Sequence, residues 1–181
     1  MADIALFFAS RDGQARKIAL ALDEFLDRDG ADVMVTDLGE GMTSDYVLGS
    51  AQVVVVVAAI RYGRHLRAAD EFLKKHKNQL QGRRLVLISV SLTARKPAKR
   101  LLENSLYLQK WVKLHSVTPD IVTAVGGRVD YPSYDWFSRT MIRLIMTITK
   151  GPTDPNAQIE FTDWDQVKDL ASKIAALIYR P

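Results

Sequence analysis

Five consecutive valines, Val53 to Val57, constrain this chain more than any other feature. Each carries two heavy atoms on Cβ, which stiffens χ1 and suits a pleated strand better than a helix. A strand that is apolar at every position must be covered on both faces, and parallel sheets flanked by helices meet that demand. The apolar run continues only to Ile60, far short of the roughly 20 residues of a spanning helix. Met1 to Ser10 is too short and too acidic for a signal peptide, so the expectation is a protein that neither crosses a membrane nor is exported. With 181 residues, 48% hydrophobic and 25% charged, the expectation is one globular domain spanning 1–181.

The rest of the chain repeats the pattern of strand, then helix. Ile4–Ala9 is a second continuous apolar run, stopped by Ser10-Arg11-Asp12-Gly13 and followed by Ile18, Ala19, Leu22, Phe25 and Leu26 at helical spacing. Val33–Thr36, Leu85–Val90 and Ile121–Val125 read as further strands. Helices are expected from about Leu66 to Leu80, from Ser105 to Leu114, and over Ala171, Ile174, Ala175 and Ile178 after a cap at Thr162-Asp163. Five buried strands with helical crossovers predict a doubly wound α/β domain, because right-handed connections place helices over both faces. Ligands of such sheets bind beyond the carboxyl ends of the strands.

The loops at those ends carry the chemistry. Ser10-Arg11-Asp12-Gly13-Gln14-Ala15 runs directly into a helix, whose free N–H groups and dipole suit a phosphate. An N-cap with an Asp-Gly turn explains the same residues equally well. The loop is neither a Walker loop nor a GxGxxG fingerprint, which disfavours nucleoside triphosphates and NAD. Ile60-Arg61-Tyr62-Gly63 places an aromatic beside a glycine, able to shelter a flat ring. Ser91-Leu92-Thr93 leads into Arg95, Lys96, Lys99 and Arg100, a cluster that suits an anion such as a carboxylate. Gly126-Gly127 allows close backbone approach.

Charge is uneven. Residues 1–60 hold 4 Lys/Arg against 10 Asp/Glu, whereas residues 61–113 hold 14 against 3. The basic third attracts anions or is simply a solvated surface. Zero cysteines remove thiolate, disulfide and Fe–S chemistry, and three scattered histidines give no expectation of a metal.

Ser10, Asp12 and Gly13 are similar to the flavodoxin phosphate-loop pattern, with Ala15 where that pattern has a threonine. Ser10-Arg11-Asp12-Gly13-Gln14, Ile60-Arg61-Tyr62-Gly63, Ala94-Arg95-Lys96-Pro97, Asn104-Ser105 and Thr162-Asp163-Trp164 together resemble one flavodoxin-like branch, the menaquinone-dependent protoporphyrinogen oxidases of bacterial haem synthesis. The resemblance implies a flavodoxin-like sheet of order 2-1-3-4-5 and FMN as cofactor. It implies protoporphyrinogen IX as substrate, a quinone (menaquinone or ubiquinone) as acceptor, and a place on the cytoplasmic face of the inner membrane. Ser10 to Ala15 would hold the FMN phosphate. Ile60 to Gly63 would flank the ring from one side and Ser91 to Thr93, with Gly126 and Gly127, from the other. Arg95, Lys96, Lys99 and Arg100 would pair with substrate propionates. Without cysteine or metal, the flavin carries the redox chemistry and no side chain is expected to be catalytic.

The stretch from about 128 to 157 is too long for an ordinary connection. It is expected to interrupt strand five, which Gln158–Thr162 would resume, and to serve substrate or membrane but not flavin. A helix from about Tyr134 to Thr149 carries Met141, Leu144, Ile145 and Ile148 on one side and Arg139, Arg143 and Lys150 on the other. Such a helix can lie in a membrane interface, cap the core, or meet a second copy of the chain. Two other functions fit the sequence. One is a flavodoxin-like electron carrier, disfavoured by the basic middle third. The other is a nucleic-acid-binding domain, disfavoured by the lack of any nucleic-acid motif.

Overall fold

Residues 2–40, 48–49, 51–148 and 150–179 are described by the computed structural model. β1 (Ile4–Ala9) is buried throughout and leads through the Ser10–Gly13 loop into α1 (Gln14–Arg28). β2 (Val33–Asp37), β3 (Val53–Arg61), the short β4 (Arg64–His65), β5 (Arg84–Ser91) and β6 (Ile121–Gly126) complete the main sheet. The long strands run in the order β2-β1-β3-β5-β6, all neighbours parallel, as the expected order requires. Register aligns Ile4 with Val33 and Val53, and Val53 with Arg84.

The valine run does what its composition demands. Val53 to Val57 are wholly inaccessible to solvent, and successive residues point into different cores. Val53, Val55 and Val57, with Ile4, Leu6 and Phe8, meet Ile18 and Leu22 of α1 and Ala171 and Ile174 of α6 (Trp164–Ile178). Val54 and Val56, with Ala5 and Phe7, meet Phe72 and Leu73 of α2 (Arg67–Lys75) and Trp111 of α4 (Leu106–His115). At about 1.5–3 kcal/mol per fully buried side chain of this kind, the two cores make β3 the strand on which the sheet depends.

Several expected boundaries shift, each for a local reason. The helix from Leu66 to Leu80 divides at His76, separating α2 from a single turn, α3 (Lys77–Leu80). His76 is buried beside the Phe72 ring, and its Nδ1 pairs with Gln79 Oε1 at 2.7 Å. The caps stay where they were expected: Ser105 caps α4 by accepting from the Leu108 N–H, and Asp163 caps α6 by accepting from that of Gln166. The expected inserted helix is α5 (Trp136–Ile148), with Thr149 outside the described residues. Strand five is not resumed as expected. Instead β7 (Arg128–Asp130) and β8 (Gln158–Glu160) pair with each other as an antiparallel ribbon apart from the main sheet. Phe161 then crosses β6 so closely that a Cβ on Gly126 would lie 2.2 Å from its carbonyl oxygen.

Candidate functional site

The carboxyl ends of β1, β3, β5 and β6 converge on one cleft, and the inserted segment closes it. The phosphate loop contributes Ser10, Asp12, Gln14 and Ala15. Gly13 sits just outside the lining in the left-handed region (φ 83°) and lets the chain turn into α1, with open space where a side chain would project. The Ser10 hydroxyl is buried and has no hydrogen-bond partner among the described residues. A buried polar atom left unpaired is costly, and at a helix N-terminus its natural partner is an anionic oxygen. Ala15 is buried on the same wall and offers no hydroxyl, while Gln14 is held by the Thr162 hydroxyl at 2.8 Å.

Opposite this loop, β3 and β4 form a tight hairpin in which Ile60 faces His65 and Arg61 faces Arg64. Its two turn residues, Tyr62 (φ 50°) and Gly63 (φ 77°), both occupy the left-handed region. That geometry suits a two-residue hairpin, but a tyrosine there is strained and must be held by its surroundings. Ser138 supplies the hold. Its hydroxyl donates to Asp135 Oδ2 at 2.7 Å, so the Tyr62 hydroxyl, 2.8 Å away, is left to donate to it. Arg61 donates to the same oxygen at 2.8 Å and to both oxygens of Asp12 at 3.1–3.2 Å. One guanidinium therefore ties the phosphate loop, the hairpin and the first turn of α5 together.

Ser91, Leu92, Thr93 and Gly127 form the remaining expected wall, joined by Val90, Tyr107, Tyr134, Met141, Ile142 and Ile145. The cleft between these walls measures about 110 Å³, and Met141, Ile142 and Ile145 of α5 form one side of it. The insertion, expected to serve substrate or membrane, therefore lines the same cleft as the Ser10–Ala15 loop.

Of the other expected site residues, Arg11 is exposed and lies outside the lining, as does Gly126, which packs against Phe161. Arg95, Lys96, Lys99 and Arg100 do not line the cleft. Arg95 donates to the Leu92 carbonyl, Lys99 to that of Asn104, and Arg100 to Asp163 and the Ala94 carbonyl. Three of the four charges thus bind carbonyls of their own loop or Asp163. Tyr107, Ser138 and Ile142 line the cleft without having been singled out, because no local pattern marks residues brought in from another element.

The residues present fit FMN. The Ser10–Ala15 loop can take its phosphate, and the hairpin and Leu92-Thr93 can take the two sides of its ring. The flavodoxin domain model matches residues 5–156. The oxidised flavodoxin 1 of Bacillus cereus superposes with a TM-score of 0.55 at 10% identity, covering 96% of this chain and 97% of that one. The protoporphyrinogen IX dehydrogenase [quinone] of Escherichia coli K12 is 38% identical over 97% of this chain and 96% of its own length. The protein of that name from Leishmania major is 33% identical over 95% of this chain and 74% of its own. With a family model covering most of its length and a relative 38% identical over nearly the whole of both chains, the chain belongs to the flavodoxin-domain family, in the group that holds the quinone-dependent protoporphyrinogen IX dehydrogenases.

Proposed function

We propose that this chain is an FMN-dependent oxidoreductase that converts protoporphyrinogen IX to protoporphyrin IX and passes the electrons to a quinone. The observation that carries this reading is the cleft itself, with a phosphate-type loop, an unpaired Ser10 hydroxyl and a tyrosine hairpin where a flavin needs them. The match to the E. coli dehydrogenase along nearly the whole of both chains supplies the substrate and acceptor. The reaction removes six electrons and six protons from the porphyrinogen and reduces three quinones to quinols. FMN supplies the two-electron redox chemistry when bound.

This chain's residues bind and orient. Ser10 and the N–H groups at the start of α1 would hold the phosphate, the hairpin and Leu92-Thr93 would take the two sides of the ring, and Met141, Ile142 and Ile145 of α5 would exclude water from the cleft. Among the described residues no helix is long and apolar enough to cross a membrane. α5 nevertheless presents Trp136 (80% exposed), Phe137 and Ile148 (73%) to solvent beside Arg143. We read that face as the contact with the membrane surface from which a lipid-soluble quinone arrives. The decisive experiment is anaerobic addition of protoporphyrinogen IX to the flavin-loaded protein. Bleaching of the flavin absorbance, reversed by a quinone, is expected. A flavin that dithionite reduces and the porphyrinogen does not would overturn the proposal.

A further inference from the structure

A second cleft lies beside the first, between the β3–β4 hairpin and α4. It is wide, about 730 Å³, and Gly63 and Tyr107 line both clefts, so the two meet at the hairpin tip. Its rim carries Arg64, Lys110 and Lys113, all exposed. The side chains of these three make no hydrogen bond or ion pair with a described residue. This separates them from Arg61, Arg95, Lys99 and Arg100, which the fold already employs. Lys110 and Lys113 stand three apart on α4 and so share a face.

The floor of this cleft is apolar and fixed. His65 stacks on Trp111 with ring centroids 3.8 Å apart and an interplanar angle of 15°, and its Nε2 pairs with the Ser89 hydroxyl at 2.9 Å. Asp70, the one carboxylate in the lining, accepts from the Trp111 indole N–H and pairs with His115 at 2.9 Å. Leu114 adds an exposed apolar edge. A largely apolar body ending in two anions matches this surface, and a neutral quinone does not.

Building on the proposed function, we infer that this second cleft receives the propionate-bearing edge of the porphyrinogen. Arg64, Lys110 and Lys113 pair with the carboxylates, and the macrocycle extends across Gly63 and Tyr107 toward the flavin cleft. These are substrate-positioning residues; none touches the reacting atoms. Their charges also give the cleft a field that draws a dianion toward it at low ionic strength.

The test uses the flavin-loaded protein and protoporphyrin IX, which keeps both propionates and is stable in air, alongside its dimethyl ester. Binding is followed by fluorescence quenching. Each of Arg64→Gln, Lys110→Gln and Lys113→Gln is expected to weaken diacid binding about fivefold, as for a solvent-accessible ion pair. The triple variant should weaken it on the order of a hundredfold. Flavin content and ester binding should not change, and the wild-type preference for diacid over ester should vanish in the triple variant. In turnover the KM for the porphyrinogen should rise with kcat and the KM for quinone unchanged. Equal affinity of wild type and triple variant for the diacid would overturn this inference and leave the proposed function standing. A loss confined to Lys96→Gln would do the same and move the carboxylates to the loop after β5. A wild-type protein that binds neither porphyrin overturns both.

Discussion

Acid should destabilise this protein through one buried imidazole. His65 is 9% exposed, pressed against Trp111, and has its pKa pushed down to about 3, first by burial and then by the nearby His115. In the unfolded chain a histidine titrates near 6.5. Between those two values the unfolded state binds a proton that the native state refuses. Stability therefore rises with pH across this window and is lost as pH falls from 6.5 toward 3. The slope is about 1.4 kcal/mol per pH unit, which gives about 3 kcal/mol between pH 7 and pH 4. His65→Phe keeps a flat ring against Trp111 and removes the titration. It also leaves the Ser89 hydroxyl without its partner, at a cost of about 1–3 kcal/mol that does not vary with pH. Urea unfolding of both proteins at pH 7, 6, 5 and 4, read by tryptophan fluorescence, separates the two effects. The carboxylates and the Asp70–His115 pair are common to both. The wild type should lose about 3 kcal/mol more than the variant over this range, and parallel curves would refute the reasoning.

The remaining predictions concern the backbone and the latch. Gly126→Ala should destabilise by about 2–3 kcal/mol, because its Cβ meets the Phe161 carbonyl oxygen at 2.2 Å; Gly127→Ala, whose nearest neighbour is at 3.6 Å, should be far milder in the same thermal melts. Gly13→Ala should cost about 1 kcal/mol through its positive φ, with no steric clash, and should lower the flavin content of the purified protein. Arg61→Gln should remove the link between Asp12 and Ser138 of α5, leaving the Tyr62–Ser138 bond as the remaining polar tie. Limited proteolysis should then cut residues 131–156 at least several-fold faster, and flavin should dissociate faster on dilution; unchanged cleavage would mean apolar packing alone holds the helix.

The strands were legible because each is a run of apolar, mostly β-branched residues bounded by turn formers, and burial on both faces leaves such runs one place to go. The phosphate loop and the Ser91–Thr93 wall were legible too, since the carboxyl ends of parallel strands are where ligands sit. The sharp hairpin at Tyr62-Gly63 was not, because a two-residue turn of this kind normally announces itself with Asn-Gly or Asp-Gly. Nor was the break at His76, where an inward-facing ring outweighs helical periodicity. The surroundings of the basic run at Arg95–Arg100 were not legible either. Sequence gives the charges, but only the fold shows that carbonyls and Asp163 already engage three of them. The pairing of Arg61 with Ser138 spans 77 positions and has no local signature at all.

The ribbon of β7 and β8 brings Asp130 and Gln158 side by side although 28 positions separate them. The chain thus leaves the sheet and comes back at a single point, and everything between is an excursion whose length the sheet does not sense. Closing such an excursion depends only logarithmically on its length, so halving or doubling it changes the entropy of closure by about 0.6 kcal/mol. Its size is therefore free to follow what must be covered at the cleft. An evolutionary or engineered change of that cover can be made between Tyr131 and Ala157 while β6 and α6 keep their places.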